Sequence, residues 1–319
     1  MEFHTSAARG QIWLSILLLL LSGCSAVRPA AELKDPRSGR PDRVHLQDIP
    51  VYPQEDKRCG AAALAMALSW SGKPLRPQEI AAQVYNPVRE GSLQASLLAA
   101  ARRQERLAYT FRGLPRLVRE VAAGHPAIVL RNLGLSWWPV YHYGLVVGYD
   151  LNKGLIRLHD GGESPESVAW EVFQRTWARA GSWGLLVLAP GDVPATADRD
   201  EYLRSVLGLE QAGQYEAAIK GYRAALQRWP ENAAAFLGLG NCYYALQELE
   251  AAEAILRRAV ALHPKSAPLR NNLAQVLFEQ GEGDAALQEA KKAVSCGAQG
   301  YKAYQETLRE IEAGRSGKE

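Results

Sequence analysis

Cysteine is scarce in this chain: four in 319 residues, at Cys24, Cys59, Cys242 and Cys296. So few, so far apart, cannot knit a disulfide scaffold, and the lack of any CxxC pair removes the common zinc signature. No metal and no cofactor are expected. Charge of one sign is also lacking: 37 Lys and Arg against 34 Asp and Glu leave +3. With no basic stripe interleaved with aromatics, nucleic acid is not an expected partner. Long apolar runs are absent except for one at the start. What is present is a 47% hydrophobic, 22% charged composition, enough for well-packed cores. The length suits two domains of ~150 residues each.

The early run, Ile12 to Leu21, is shorter than the ~20 apolar residues a membrane-spanning helix needs. It has the length of a signal-peptide core. It ends in Leu21-Ser22-Gly23-Cys24, which resembles the lipobox of bacterial lipoproteins. The resemblance implies that residues 1–23 are a removed signal peptide. It also implies that Cys24 is lipidated and begins the mature chain, attaching it to a membrane. Ser25 rather than Asp follows Cys24, which by that family's sorting rule implies the periplasmic face of the outer membrane. Residues 24–43, rich in Arg, Pro and Asp, read as a lipidated flexible tether.

The C-terminal third repeats itself. Pro230 and Pro264 stand 34 residues apart, and Gly213 and Gly281 stand two such periods apart. Ala218, Ala252 and Ala286 recur at one small site, and Ala225, Ala259 and Ala293 at another. Small residues recur where paired antiparallel helices approach closely. Residues 199–300 therefore resemble three tetratricopeptide repeats, reached through a linker at 191–198 and closed by a capping helix and tail at 301–319. The resemblance implies a protein partner. Asn241, Tyr244, Asn271 and Gln275 on the inner helices are candidates for lining its groove.

Residues 44–190 carry the chemistry. A polar loop holding Gln54 runs through Cys59-Gly60 into an Ala-rich helix to Trp70, so Cys59 stands at a helix N-terminus. The dipole there favours thiolate over thiol. Helices are predicted at 76–84, 92–104 and 114–123, followed by strands at 127–130, 141–149, 155–159 and 183–188. Helices first and antiparallel sheet afterwards make an α+β domain. His142 opens the second strand and Asp160 follows the third, so a hairpin sets them side by side. Cys59 then reads as nucleophile, His142 as its ion-pair partner and proton donor, and Asp160 as the residue that orients the imidazole. Gln54 reads as a side-chain aid to an oxyanion hole.

Gln54, Cys59-Gly60, His142-Tyr143 and Asp160, with the stretch HYGLVVGYD before LHDGG, resemble the papain-like peptidases that remove leader peptides after double glycine. In that family these domains precede bacteriocin-exporting transporters. The resemblance implies a papain-like fold over residues 44–190 and a cysteine peptidase acting on a peptide or protein substrate. This chain departs from the family in lacking a Walker motif and transporter helices, and in having Gly161 after Asp160. Two other readings stand beside the peptidase. One is a non-catalytic peptide-binding scaffold lipoprotein; the other is a papain-like cell-wall amidase or acyltransferase.

Overall fold

The computed structural model describes residues 39–53, 58–297 and 301–316. The expected signal peptide, Cys24, most of the tether, and Gln54 lie outside the described residues. From Arg40 onward the described residues belong to one compact unit.

Helix α1 (Cys59–Trp70) is buried from Gly60 through Leu68. Its first nine residues after Cys59 are alanine, glycine, leucine or methionine, so it can sit inside a core with no polar face to satisfy. Helix α2 (Pro77–Val84) begins with proline, and the Arg76 backbone N–H donates to Glu79 at 2.7 Å, closing its first turn. A short ribbon of β2 (Tyr85–Asn86) and β3 (Gly91–Ser92) leads to α3 (Gln94–Arg103). Then come β4 (Leu107–Arg112), α4 (Leu114–Ala122), β5 (Ala127–Asn132), β6 (Tyr141–Asp150), β7 (Leu155–His159), β8 (Glu166–Ala169), α5 (Trp170–Ala178) and β9 (Trp183–Leu188). The strands form one antiparallel sheet in the order β4-β9-β5-β6-β7-β8, and β1 (Arg43–His45) pairs with the far half of β6.

Tyr143, Leu145 and Val147 alternate along β6 into the core that α1, α2 and α3 share with the sheet. The expected α+β class is met, with six elements more than the sequence pattern gave: β1, β2, β3, β4, β8 and α5. Leu107–Arg112 is buried almost throughout, so its sequence has no period-2 alternation to reveal a strand.

The helical region follows. Helices α6 (Arg199–Gln211), α7 (Tyr215–Arg228), α8 (Ala233–Ala245), α9 (Leu249–Leu262), α10 (Ala267–Glu279) and α11 (Gly283–Cys296) pair in sequence, and α12 (Lys302–Ser316) packs on α10 and α11. The turns within the pairs repeat in backbone conformation as well as spacing. Gly213, Gln247 and Gly281 have φ of 73°, 61° and 83°. The middle repeat thus places a glutamine in the left-handed region where its neighbours use glycine.

The array is docked on the sheet domain. Arg102 of α3 lies over Gly208 of α6, where any side chain would collide with its guanidinium. Glu120 of α4 is fully buried and accepts from the Ala195 and Thr196 backbone N–H groups and the Thr196 hydroxyl, with His125 Nδ1 at 2.8 Å. Beside it, Arg116 donates to Glu201 at 2.6 Å and to the Tyr109 hydroxyl. Burial pushes the Glu120 carboxyl up, but the His125 and Thr196 hydrogen bonds outweigh it and hold the group below its ordinary value. Its contribution to stability is therefore full above the unfolded value of about 4.3 and is lost as pH falls through the depressed folded value. Glu120→Ala strands buried donors and is expected to cost about 1–3 kcal/mol in urea unfolding, with faster proteolysis between residues 190 and 198. An unchanged unfolding midpoint would mean that Glu120 does not hold the connection.

Candidate active site

Three neighbouring strands and one helix end meet at a cleft of ≈ 980 Å³. Cys59 is the first residue of α1 and lines it, together with His142 at the start of β6 and Asp160 just beyond β7. The structure brings these three together. His142 Nε2 lies 3.0 Å from Asp160 Oδ1, close but off the axis of an aligned hydrogen bond. That contact leaves Nδ1 as the ring nitrogen available to Cys59, whose thiolate the neighbouring His142 favours.

Two glycines make the approach possible. At Gly60 a Cβ would lie 2.6 Å from Ser92 Cβ and 3.3 Å from the Tyr143 ring, so only glycine lets the first turn of α1 settle against β3 and β6. The Tyr143 hydroxyl completes that contact by donating to the Ser92 carbonyl at 3.2 Å. At Gly144 a Cβ would lie 2.9 Å from Asp160 Oδ1, so the carboxylate occupies the place of the missing side chain.

The electrostatics follow from burial and partners. Burial alone would raise the Cys59 thiol. The His142 hydrogen bond, the Tyr143 backbone N–H, the His142 charge and the Gly60 backbone N–H together outweigh it, and the thiol lies below its ordinary value. Burial would likewise lower His142, but Asp160 and Cys59 push it up to about 10. Both shifts favour the same state, a thiolate paired with an imidazolium. Asp160 is held below the usual carboxylate range: burial opposes this, and His142 and Arg131 overcome it.

Arg131 is the residue that sequence reasoning missed. It lies directly across from His142 in the β5–β6 register, is only 3% exposed, and pairs its guanidinium with Asp160 Oδ2. The signal was an arginine continuing the apolar run Ala127-Ile128-Val129-Leu130, since a charge in a buried strand demands a partner. The strand was expected to stop at Leu130, which left Arg131 as loop; it runs on to Asn132.

His159 is 4% exposed and does not touch the cleft; burial lowers its pKa. Trp137 and Trp138 stand out in solvent at 77% and 69% exposure, while Pro139 of the same connection and Tyr141, the first residue of β6, line the cleft. Buried Asn132 shapes that connection, its side-chain oxygen accepting from the Gly134 and Val140 N–H groups at 3.0 Å each. Among the described residues no group of three His, Cys, Asp or Glu side chains is arranged to hold a metal ion.

On the helical array the groove candidates separate. Asn241 and Tyr244 of α8 and Gln275 of α10 line a shallow concavity. Asn271 does not: it is 7% exposed and turned into the array. Its neighbour Asn272 takes the place expected of it, donating to Asn241 Oδ1 at 2.6 Å, because one residue along a helix turns the side chain to another face. Asn241 in turn donates to Glu210 at 3.4 Å, and Gln275 bonds Thr307 of α12. Cys242 is buried, and burial followed by Glu210 pushes its thiol up to about 12.

Residues 46–184 match the Peptidase_C39 like family, and residues 203–267 and 250–311 match two tetratricopeptide repeat families. No curated protein matches the chain. Among solved structures, a Bacillus anthracis protein described as a C39-like peptidase is 19% identical, with 46% of this chain and 97% of that one covered and a TM-score of 0.41. The Yersinia enterocolitica type III secretion translocator chaperone SycD is 20% identical over 37% of this chain and 93% of its own, with a TM-score of 0.35. The Sgt2 TPR domain from Aspergillus fumigatus is 20% identical over 38% and 81%, with a TM-score of 0.36. The chain therefore carries a Peptidase_C39-like domain joined to tetratricopeptide repeats, a class of repeat that generally mediates protein–protein interaction.

Proposed function

We propose that the protein is a membrane-tethered cysteine peptidase that uses Cys59, His142 and Asp160, with the repeats recruiting a protein substrate or partner. The observation that carries this reading is the chain of contacts from Cys59 through His142 to Asp160 along one wall of an open cleft. The thiolate of Cys59 attacks the substrate carbonyl, forming a C–S bond and placing negative charge on the oxygen. The Cys59 backbone N–H, one of the donors left unpaired at a helix start, is suited to receive that oxyanion. Gln54 is the proposed second donor. His142 gives its proton to the leaving amine as the C–N bond breaks, leaving a thioester. It then takes a proton from water, whose oxygen attacks the thioester, and the acid product leaves with the thiolate restored. Asp160 keeps the imidazole oriented and its cation stabilised throughout.

The pH profile tests this. The active form needs Cys59 deprotonated and His142 protonated. Activity should therefore rise through a Cys59 value below the ordinary thiol figure of about 8.5 and fall as His142 loses its proton near 10. A single ascending limb centred at the ordinary thiol value would count against the pair.

The tether reading rests on Leu21-Ser22-Gly23-Cys24. Metabolic labelling with palmitate should mark the wild type and not Cys24→Ala, and the variant should move from the membrane to the soluble fraction. Equal labelling of both proteins would remove the lipid anchor.

A further inference from the structure

The wall of the cleft contributed by β4 and the end of α5 holds two arginines, Arg112 and Arg179, together with Ala180 and Gly181. Each guanidinium is fixed by a backbone carbonyl. Arg112 donates to Gly181 and Arg179 donates to Gly134 at 2.7 Å. A carbonyl orients a guanidinium without neutralising it, and among the described residues no carboxylate pairs with either arginine. Arg89 adds a third lining cation, with no ion-pair partner among the described residues. Against these stand two acidic lining residues: Asp160, already committed to His142 and Arg131, and Glu90 beside Arg89. The cleft that holds the nucleophile is therefore lined by an excess of cations, two of them oriented.

We infer that Arg112 and Arg179 are specificity-determining residues that select a peptide carrying a carboxylate along the cleft that presents it to Cys59. This inference rests on the peptidase reading of the cleft and names its substrate class, an acidic peptide. Oriented guanidiniums recognise carboxylates through paired N–H donors, and a site held open by backbone carbonyls loses little freedom on binding. The carboxylate has two possible sources, an Asp or Glu side chain and a free C-terminus.

The test uses full-length Cys59→Ala protein, immobilised, so that binding is read without cleavage. A randomised decapeptide library is offered in two forms, C-terminally amidated and free acid, and retained peptides are sequenced. The expected result is enrichment of Asp or Glu by about 3- to 10-fold in the amidated form, a side-chain source, or preference for the free-acid form, a terminal source. Adding Arg112→Gln and Arg179→Gln should remove the enrichment, and Arg112→Lys with Arg179→Lys should keep part of it. Thermal unfolding of each variant shows that the fold is retained. No retention, retention without acidic enrichment, or enrichment that survives in the glutamine variant overturns the inference. Failure of the peptidase reading would show separately, as slow iodoacetamide alkylation of Cys59 in the unsubstituted protein.

Discussion

His142→Ala should lower peptide hydrolysis by about 10²–10⁴-fold, the usual worth of a positioned proton-transfer group, and should slow alkylation of Cys59 near neutral pH. The second effect is the more specific. Cys59 sits among groups that act in opposite directions: burial disfavours its thiolate, and His142 supplies both a hydrogen bond and a positive charge that favour it. Alanine removes both supports and leaves the burial in place. The thiol should then titrate above its wild-type value, with only the Tyr143 and Gly60 N–H groups still favouring the anion. The measurement is the rate of iodoacetamide modification at Cys59 across pH 4–9, mapped by mass spectrometry. Cys242, whose thiol is pushed up by burial, should stay unreactive over most of that range and serves as an internal reference. Identical Cys59 profiles in wild type and variant would mean that no thiolate–imidazolium pair exists.

The parts of this site that were legible in the sequence are those with a one-dimensional signal. Cys59-Gly60 at the head of an alanine-rich helix marks a helix N-terminus, and the helix does begin there. His142 and Asp160 were expected to meet because a hairpin returns the chain beside itself, and β6 and β7 do pair in that sense. The 34-residue period was legible because each repeat must bury the same small residues against its neighbour. What could not be read depends on partners distant in sequence. Arg131 acquires its meaning only when β5 pairs with β6 and Asp160 comes round from β7. Gly144 looks like any glycine in a strand until the Asp160 carboxylate is seen above it. Helix α5 was missed although Trp170, Phe173 and Trp177 recur at helical spacing, since the fold of that segment depends on the sheet it covers. Asn271 was misassigned because placing a residue on an inner helix does not fix its face to the single residue.

Arg131→Met should be among the most destabilising single changes in the domain, by about 3–5 kcal/mol, because it leaves the Asp160 charge buried with one partner fewer. The arginine is almost wholly enclosed and its guanidinium caps the Asp160 oxygen that His142 does not use. Without it, burial is opposed by His142 alone, so the Asp160 carboxyl should titrate higher and the acid limb of activity should move up in pH. Stability and catalysis can be separated by a second substitution. Asp160→Asn removes the charge that Arg131 neutralises. Arg131→Met with Asp160→Asn should therefore regain much of the lost stability, the signature of strongly coupled neighbours in a double-mutant cycle. It should not regain full activity, since an amide oxygen orients the His142 imidazolium but stabilises its charge less than a carboxylate does. Urea unfolding of the wild type, the two single variants and the double variant gives the coupling directly. If the two costs simply add, Arg131 and Asp160 act independently. If Arg131→Met alone leaves the pH profile untouched, the arginine serves the fold and not the charge of Asp160.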